Sequence, residues 1–381
     1  MKILFYSSAY QKPEWARYQH TSVSLAEGFR DLGIEYYGNI DYWYDLDNQC
    51  YLIQKAPEGF DPDVVIYSSH YLLDFPEELA NVDFSKKTVL IDNEDGWDTP
   101  AMDDQYKDFD LILRCHLSKK VRTHREKMLW ETAQAKCSNY LPQVKPWNFG
   151  LSYRMINAID KFKDRPVKDQ VLCNFRMPHN LRDLGVQGFN KVLDKKYKIF
   201  NNITETLDVT DTDDHLSYWS QTGRRHNEVY YKDINESKFN YAFGGKFYYD
   251  PIGHNKLLKL KQTFQRGMAF LSNKLGLSPK ENTYYTMTQY GGWRLFESFL
   301  SNTVPIQIDF DYWDLDWPVM PEHGKHYWAV KGFRFEESAK ELDQLSEEEL
   351  QKIVEQGRQW VLDNYHPKVV AERFLSYIEK L

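Results

Sequence analysis

Gly291-Gly292-Trp293-Arg294-Leu295-Phe296-Glu297 sets two glycines, a guanidinium and a carboxylate at the head of a segment with helical character. A glycine pair before a helix leaves first-turn backbone N–H groups free. The helix dipole favours negative charge there, which suits a phosphate. Arg294 adds planar donors that match phosphate oxygens. Glu297 stands five residues past Gly292, about one and a half turns into the helix, where its carboxylate could accept hydrogen bonds from a ribose. Together these groups point to a nucleoside diphosphate. The plainer alternative is an ordinary helix on which Arg294 and Glu297 pair at i, i+3.

Such a site needs a parallel sheet behind it, and the sequence supplies the strands. Ile3–Tyr6, Ile34–Tyr37, Asp63–Tyr67, Thr88–Asp92 and Asp110–Arg114 are short apolar runs of the kind buried on both faces. Leu25, Phe29 and Leu32 mark one face of a helix closed by Gly33. Strands alternating with helices predict right-handed crossovers and a Rossmann-like sheet. Residues 141–150, with two prolines and a glycine, read as an interdomain connection. The strand pattern restarts at Gln170–Phe175 and continues with Lys196–Phe200 and Phe239–Phe243. Residues 204–235 read as a loop-rich insertion and 254–275 as helical, with Thr283–Met287 as the strand feeding the glycine pair. Gly244-Gly245-Lys246 reads as a turn, and a last helix begins at Pro367.

Composition narrows the function classes. The 381 residues suffice for two domains, and a net charge of −8 offers no global field for a nucleic-acid backbone or an anionic membrane. Cys50, Cys115, Cys137 and Cys173 lack metal-ligand spacing and fit free thiols in a reducing compartment. With no signal peptide and no membrane span, the expected location is the cytoplasm. Zinc-finger spacing, a Walker loop, a GxSxG elbow and a dinucleotide fingerprint are all absent, which lowers NTPase, hydrolase and dehydrogenase readings.

The glycine loop, Arg294, Glu297, the Ser301-Asn302-Thr303 turn, Val304-Pro305 and the following strand resemble the donor-binding segment of GT-B glycosyltransferases. The resemblance is strongest to the exostosin-like and retaining sugar-nucleotide families, and only residues near 284–309 carry it with specificity. It implies an α/β chain of two Rossmann-like domains facing across a cleft. Residues 1–150 would be the acceptor domain and 165–365 the donor-nucleotide domain, with 366–381 a terminal helix crossing back to the first. The implied activity is transfer of a hexose or pentose from a nucleotide-sugar donor to a glycan or other hydroxylated acceptor. No cofactor is expected, and no divalent metal is expected to be essential.

The resemblance also places a basic residue in the loop after the first strand of the second domain, where Arg176 and Arg182 stand. A fixed guanidinium there stabilises charge on the departing diphosphate. On the acceptor side, Glu14, Arg17 and His20 follow the first strand, and His20 is read as a base or sugar ligand. The run Asp92-Asn93-Glu94-Asp95-Gly96-Trp97-Asp98 follows a buried strand. Asp92, Glu94 and Asp95 suit hydroxyl binding or acid/base chemistry, and equally a helix cap or a solvated loop.

Other readings compete. Asp-x-Asp triplets start at Asp45, Asp61, Asp108, Asp211, Asp309 and Asp314, and Asp309-Phe310-Asp311 follows a strand as the metal-binding triplet of a GT-A enzyme would. A sugar-nucleotide epimerase or a non-catalytic nucleotide-sugar binding protein would use the same GT-B fold. Modified DNA bases are an alternative acceptor, and the only way nucleic acid enters as a partner.

Overall fold

The computed structural model describes residues 1–8, 18–94, 99–118, 122–123, 140–174, 180–201, 216–222, 228–244, 246–248, 284–288 and 291–381. The apolar runs of the first third form β1 (Lys2–Tyr6), β2 (Glu35–Gly38), β5 (Val64–Ser68), β6 (Lys87–Asp92) and β7 (Leu111–Arg114). With β8 (Val144–Pro146) they make one parallel sheet in the order β8-β7-β6-β5-β1-β2. Alternate residues of each central strand enter different cores. Val64, Ile66, Val89 and Ile91 join one, while Val65, Tyr67 and Leu90 join the other. A sheet buried on both faces is why these strands lack a polar alternation.

Helix α1 (His20–Asp31) covers one face and ends at Gly33, whose φ of +65° a side chain would disfavour. A hairpin of β3 (Tyr42–Asp45) and β4 (Cys50–Ile53) lies between β2 and β5, and short helix α2 (Ser69–Asp74) starts directly at the end of β5.

The second sheet runs β10-β9-β11-β12-β13, with β9 (Lys168–Leu172), β10 (Lys198–Phe200), β11 (Ser237–Tyr241), β12 (Val304–Ile308) and β13 (Trp328–Val330) all parallel. Helices α3 (Tyr153–Asp160), α4 (Asn180–Leu193), α5 (Glu228–Asn235), α6 (Trp293–Leu300), α7 (Phe335–Asp343) and α8 (Glu347–Tyr365) belong to this half of the chain. Ser346 and Glu349 cap α8 reciprocally: the Ser346 hydroxyl accepts from Glu349 N–H at 3.2 Å, and the Glu349 carboxylate accepts from Ser346 N–H at 2.8 Å. Pro367 stops that helix and opens α9 (Pro367–Ile378), which lies on α1. The two helices approach so closely at Gly28 that a Cβ there would stand 2.1 Å from the Pro367 carbonyl oxygen. Phe29 meets Phe374 edge-on beside that contact.

Four segments differ from the sequence reading. Residues 144–146 are an edge strand rather than linker, and Pro146 is tolerated there because an edge strand leaves one side unpaired. Within the expected insertion, residues 228–235 form α5, with Tyr231 and Ile234 buried. Tyr284–Thr288 is a strand, but it lies outside the parallel sheet and pairs antiparallel with Lys246–Tyr248 and Arg122–Thr123. The antiparallel pair of Leu117–Ser118 with Leu315–Asp316 also escaped sequence reading, and it joins the two halves directly. The expected helix at 254–275 lies outside the described residues.

Candidate active site

Strand order fixes where a ligand can enter. In the first sheet the chain leaves β1 for β2 on one side and returns to β5 on the other. In the second it leaves β9 for β10 and returns to β11. Successive crossovers therefore diverge beyond the C-terminal ends of β1 and β5, and of β9 and β11, and each divergence opens a crevice.

At the second crevice the nucleotide candidates converge. Cys173, immediately after β9, is buried, and its thiol is pushed up to about 11 by that burial against the opposing pull of the Arg294 and Arg182 guanidinium charges. Both arginines thus flank one strand end. Arg182, on the first turn of α4, donates from Nε to the Phe243 carbonyl just past β11 at 3.1 Å. Arg294 lies in the first turn of α6, its guanidinium 6.0 Å from the Tyr230 ring centroid. Burial raises the Tyr230 phenol's pKa first, and the Glu297 charge adds to it, which places Glu297 in the same cluster. Ser298 fixes the helix to the sheet, accepting from Asn240 Nδ2 at 2.7 Å and donating to the Arg294 carbonyl at 2.6 Å.

The two glycines at the head of α6 have different reasons to be glycine. A Cβ on Gly291 would meet Trp317 Cζ2 at 2.9 Å. Gly292 is the N-cap with φ −106° and ψ 154°, a conformation open to any residue, and a Cβ there would meet nothing within 4 Å. The chain's own packing does not require glycine at 292, and the space beside it is open at the N-terminus of α6.

Trp293 ties this helix to the first domain. Its ring centroid is 5.5 Å from Tyr18, 6.2 Å from His20 and 5.4 Å from Phe149. His20 is buried, with Nε2 3.0 Å from the Gly150 carbonyl and Nδ1 2.6 Å from the Tyr18 hydroxyl. A carbonyl only accepts, so Nε2 carries the proton and Nδ1 accepts from Tyr18. The structure thus brings His20 to the interdomain seam with both ring nitrogens engaged by the chain.

Asp92 is fully buried. One oxygen accepts from Arg114 Nη1 at 2.7 Å and from Glu94 N–H at 3.1 Å, and the other accepts from Ala101 N–H at 3.1 Å. That pattern ties the ends of β6 and β7 to the loop between them. Glu94 has different surroundings. Its Oε1 accepts from the Ser69 hydroxyl at 3.1 Å and stands 3.3 Å from His70 Nδ1, with side-chain exposures of 21% for His70 and 25% for Glu94. His70 was not singled out from sequence. The available signal was its position in Ser68-Ser69-His70, directly beyond a fully buried strand, as Glu94 is beyond the next.

Arg176, Asp95, Glu14 and Arg17 lie outside the described residues. The Asp309 carboxylate accepts from Tyr312 N–H at 2.9 Å in the turn after β12, a strand of the second parallel sheet. The two-sheet architecture removes the GT-A reading of that triplet. Among the described residues no group of three or more His, Cys, Asp or Glu could hold a metal ion, and no helix is long and apolar enough to cross a membrane.

Two parallel Rossmann-like sheets, joined at their C-terminal edges and closed by a terminal helix on the first, constitute the GT-B fold. No protein-family model matches the sequence, and no curated protein matches it in sequence. Solved structures match along the whole chain. HepE of Anabaena in complex with UDP and glucose aligns over 100% of both chains, with a TM-score of 0.51 at 10% identity. An alpha-glucosyltransferase (AGT) in complex with UDP aligns over 100% of both, with a TM-score of 0.50 at 11% identity. A glycosyltransferase from Rickettsia africae covers 99% of this chain and 98% of its own, with a TM-score of 0.50 at 11% identity. At such identities the likeness is one of fold.

Proposed function

We propose that the protein is a glycosyltransferase that moves a hexose or pentose from a nucleotide sugar, UDP-sugars foremost, to a hydroxylated acceptor. The observation that carries this is the convergence of Arg182, Arg294, Glu297 and the open N-terminus of α6 at the second sheet's crevice. Positive charge at a helix N-terminus suits a diphosphate, and a buried carboxylate beside it suits a ribose.

Residues 165–365 would then bind donor and residues 1–150 acceptor, with 366–381 belonging spatially to the first domain. Arg176 is assigned to the same diphosphate as Arg182, stabilising charge as the leaving group departs. Because guanidinium and backbone groups neutralise the phosphates in this scheme, activity should survive a chelator. The free thiols of Cys50, Cys115 and Cys173 support a reducing, cytoplasmic setting. Acceptors to assay are monosaccharides, glycans and DNA carrying modified bases.

The test is a thermal-shift titration with UDP, GDP, ADP and CMP, since a ligand that binds the folded state raises its melting point. One nucleoside diphosphate should stabilise the wild type. Glu297→Ala should weaken its binding by about 1–3 kcal/mol, the range for lost hydrogen bonds to a charged group. Unchanged affinity in that variant removes Glu297 from the site.

A further inference from the structure

The two faces of the first sheet are covered unequally. Helix α1 and the β3–β4 hairpin both pack on one face, where Phe29, Tyr42, Trp43 and Ile53 share a core with Ile3 and Phe5. Among the described residues the helical cover of the other face is α2 and 3-10 turns, none longer than six residues. Leu4, Tyr6 and Phe75 are only partly buried there. Three tyrosines form a row at the C-terminal end of that face. Tyr6 is the last residue of β1, and the β1–β5 register sets Tyr67 beside it. Their rings stack at 4.6 Å with planes 9° apart, and Tyr71 on α2 leans on Tyr6 at 5.3 Å and 52°. None of the three hydroxyls hydrogen-bonds to another described residue, and their oxygens are open to solvent although Tyr67 and Tyr71 are buried as residues. The row therefore buries its rings and turns its polar tips outward. The charges acting on it are negative. Burial raises each phenol's pKa first, and the Glu78 charge adds to it at all three, with Glu77 also acting on Tyr71 and Asp83 on Tyr67.

Negative charge repels the phosphates of nucleic acid and the headgroups of an anionic membrane. A sugar fits the same surface. Its C–H groups can lie against an aromatic ring, and its hydroxyls can donate to carboxylates and exchange hydrogen bonds with phenols. We propose that Tyr6, Tyr67 and Tyr71, with Glu77 and Glu78 at the rim, bind an uncharged oligosaccharide. Tyr6 and Tyr67 stand at the ends of the two strands whose diverging crossovers open the first crevice, so a glycan held on the row leads into it. Binding follows from the surface itself. That the glycan is the acceptor of the transfer rests on the transferase reading.

The experiment is isothermal titration calorimetry on the full chain. Cellohexaose, maltohexaose and chitohexaose are the uncharged probes, and a heparin hexasaccharide, duplex DNA and an oligolysine peptide are the charged ones. One uncharged probe should bind the wild type. A variant combining Tyr6→Phe and Tyr71→Phe keeps the rings and removes hydroxyls that the fold does not use, so it should melt as wild type does. It should bind that probe about tenfold more weakly, the scale of one or two lost hydrogen bonds. Tyr6→Ala should lose at least as much, and nucleotide affinity should be unchanged in both. Binding of no uncharged probe, or equal binding by wild type and both variants, overturns the proposal. Tyrosine-dependent binding of the heparin fragment or DNA instead of the uncharged probes overturns it too, and the same result with oligolysine makes the surface one for a basic protein. With UDP-glucose, UDP-N-acetylglucosamine or GDP-mannose as donor, the double variant should raise KM for the bound glycan at near wild-type kcat. An unchanged KM overturns the acceptor role. Tyrosine-dependent glycan binding by a wild type that turns over no donor overturns the transferase reading and leaves the binding surface standing.

Discussion

Asp92 and Glu94 are two residues apart in one acidic run, yet they occupy opposite physical situations. Asp92 neutralises Arg114 in a buried ion pair, with side-chain exposures of 2% for the arginine and 0% for the aspartate. Asp92→Asn would leave that guanidinium buried without its countercharge. Breaking such a pair from one side costs about 3–5 kcal/mol. Urea denaturation should show that loss, while nucleotide affinity should be retained if Asp92 only supports the acceptor half. The sequence could not separate the two carboxylates. What distinguishes them is Arg114, twenty-two positions away and brought alongside only by the β6–β7 register, which pairs Asp92 with Arg114. His70 was illegible for the same reason: a lone histidine has no spacing pattern, and its partner is supplied by the sheet.

At the scale of the element, glycines separate what the fold needs from what a ligand would need. Gly28 allows α1 and α9 to touch. Gly28→Ala should force them apart and lower the melting temperature clearly, since the group it would strike is backbone. Gly292→Ala meets no neighbour and should fold with a loss of only about 1 kcal/mol, the scale of a weakened N-cap, yet bind nucleotide more weakly. Stability from calorimetry and affinity from titration distinguish the two, and a Gly292→Ala protein with full affinity would mean that the open space is not the phosphate site. The strands were legible because their apolar runs are buried on both faces. The edge strand β8 was not, since Lys145 and Pro146 carry no such signature. Helix α5 was hidden too, because eight residues are too few to show a helical period, although Tyr230, Tyr231, Ile234 and Asn235 are buried.

At the scale of the whole molecule, the halves meet at a buried acid. Glu27 on α1 accepts from Tyr153 N–H at the start of α3, 2.8 Å away. Burial pushes its carboxyl up to about 8, against the Tyr153 hydrogen bond and Arg30, with Asp45 and Asp31 adding in the same direction as burial. A pKa raised on folding means the folded state favours the proton. The contribution is full below the ordinary carboxylate value and is lost as pH rises through the folded value. The melting temperature of wild type relative to Glu27→Gln should therefore decline between about pH 4.5 and 8. A flat difference across that window would mean Glu27 stays ionised in the folded chain. The two-domain layout itself was readable from alternating strands and helices, but the seam was not, being built from single side chains drawn from distant segments. The α1–α9 contact has a consequence in time. A ribosome delivers the first domain's sheet early, yet the side of α1 around Gly28 and Phe29 gains its cover only when Pro367–Ile378 emerges. The amino-terminal half thus waits for Pro367–Ile378 to be made, and a nascent chain must shelter that apolar side until then.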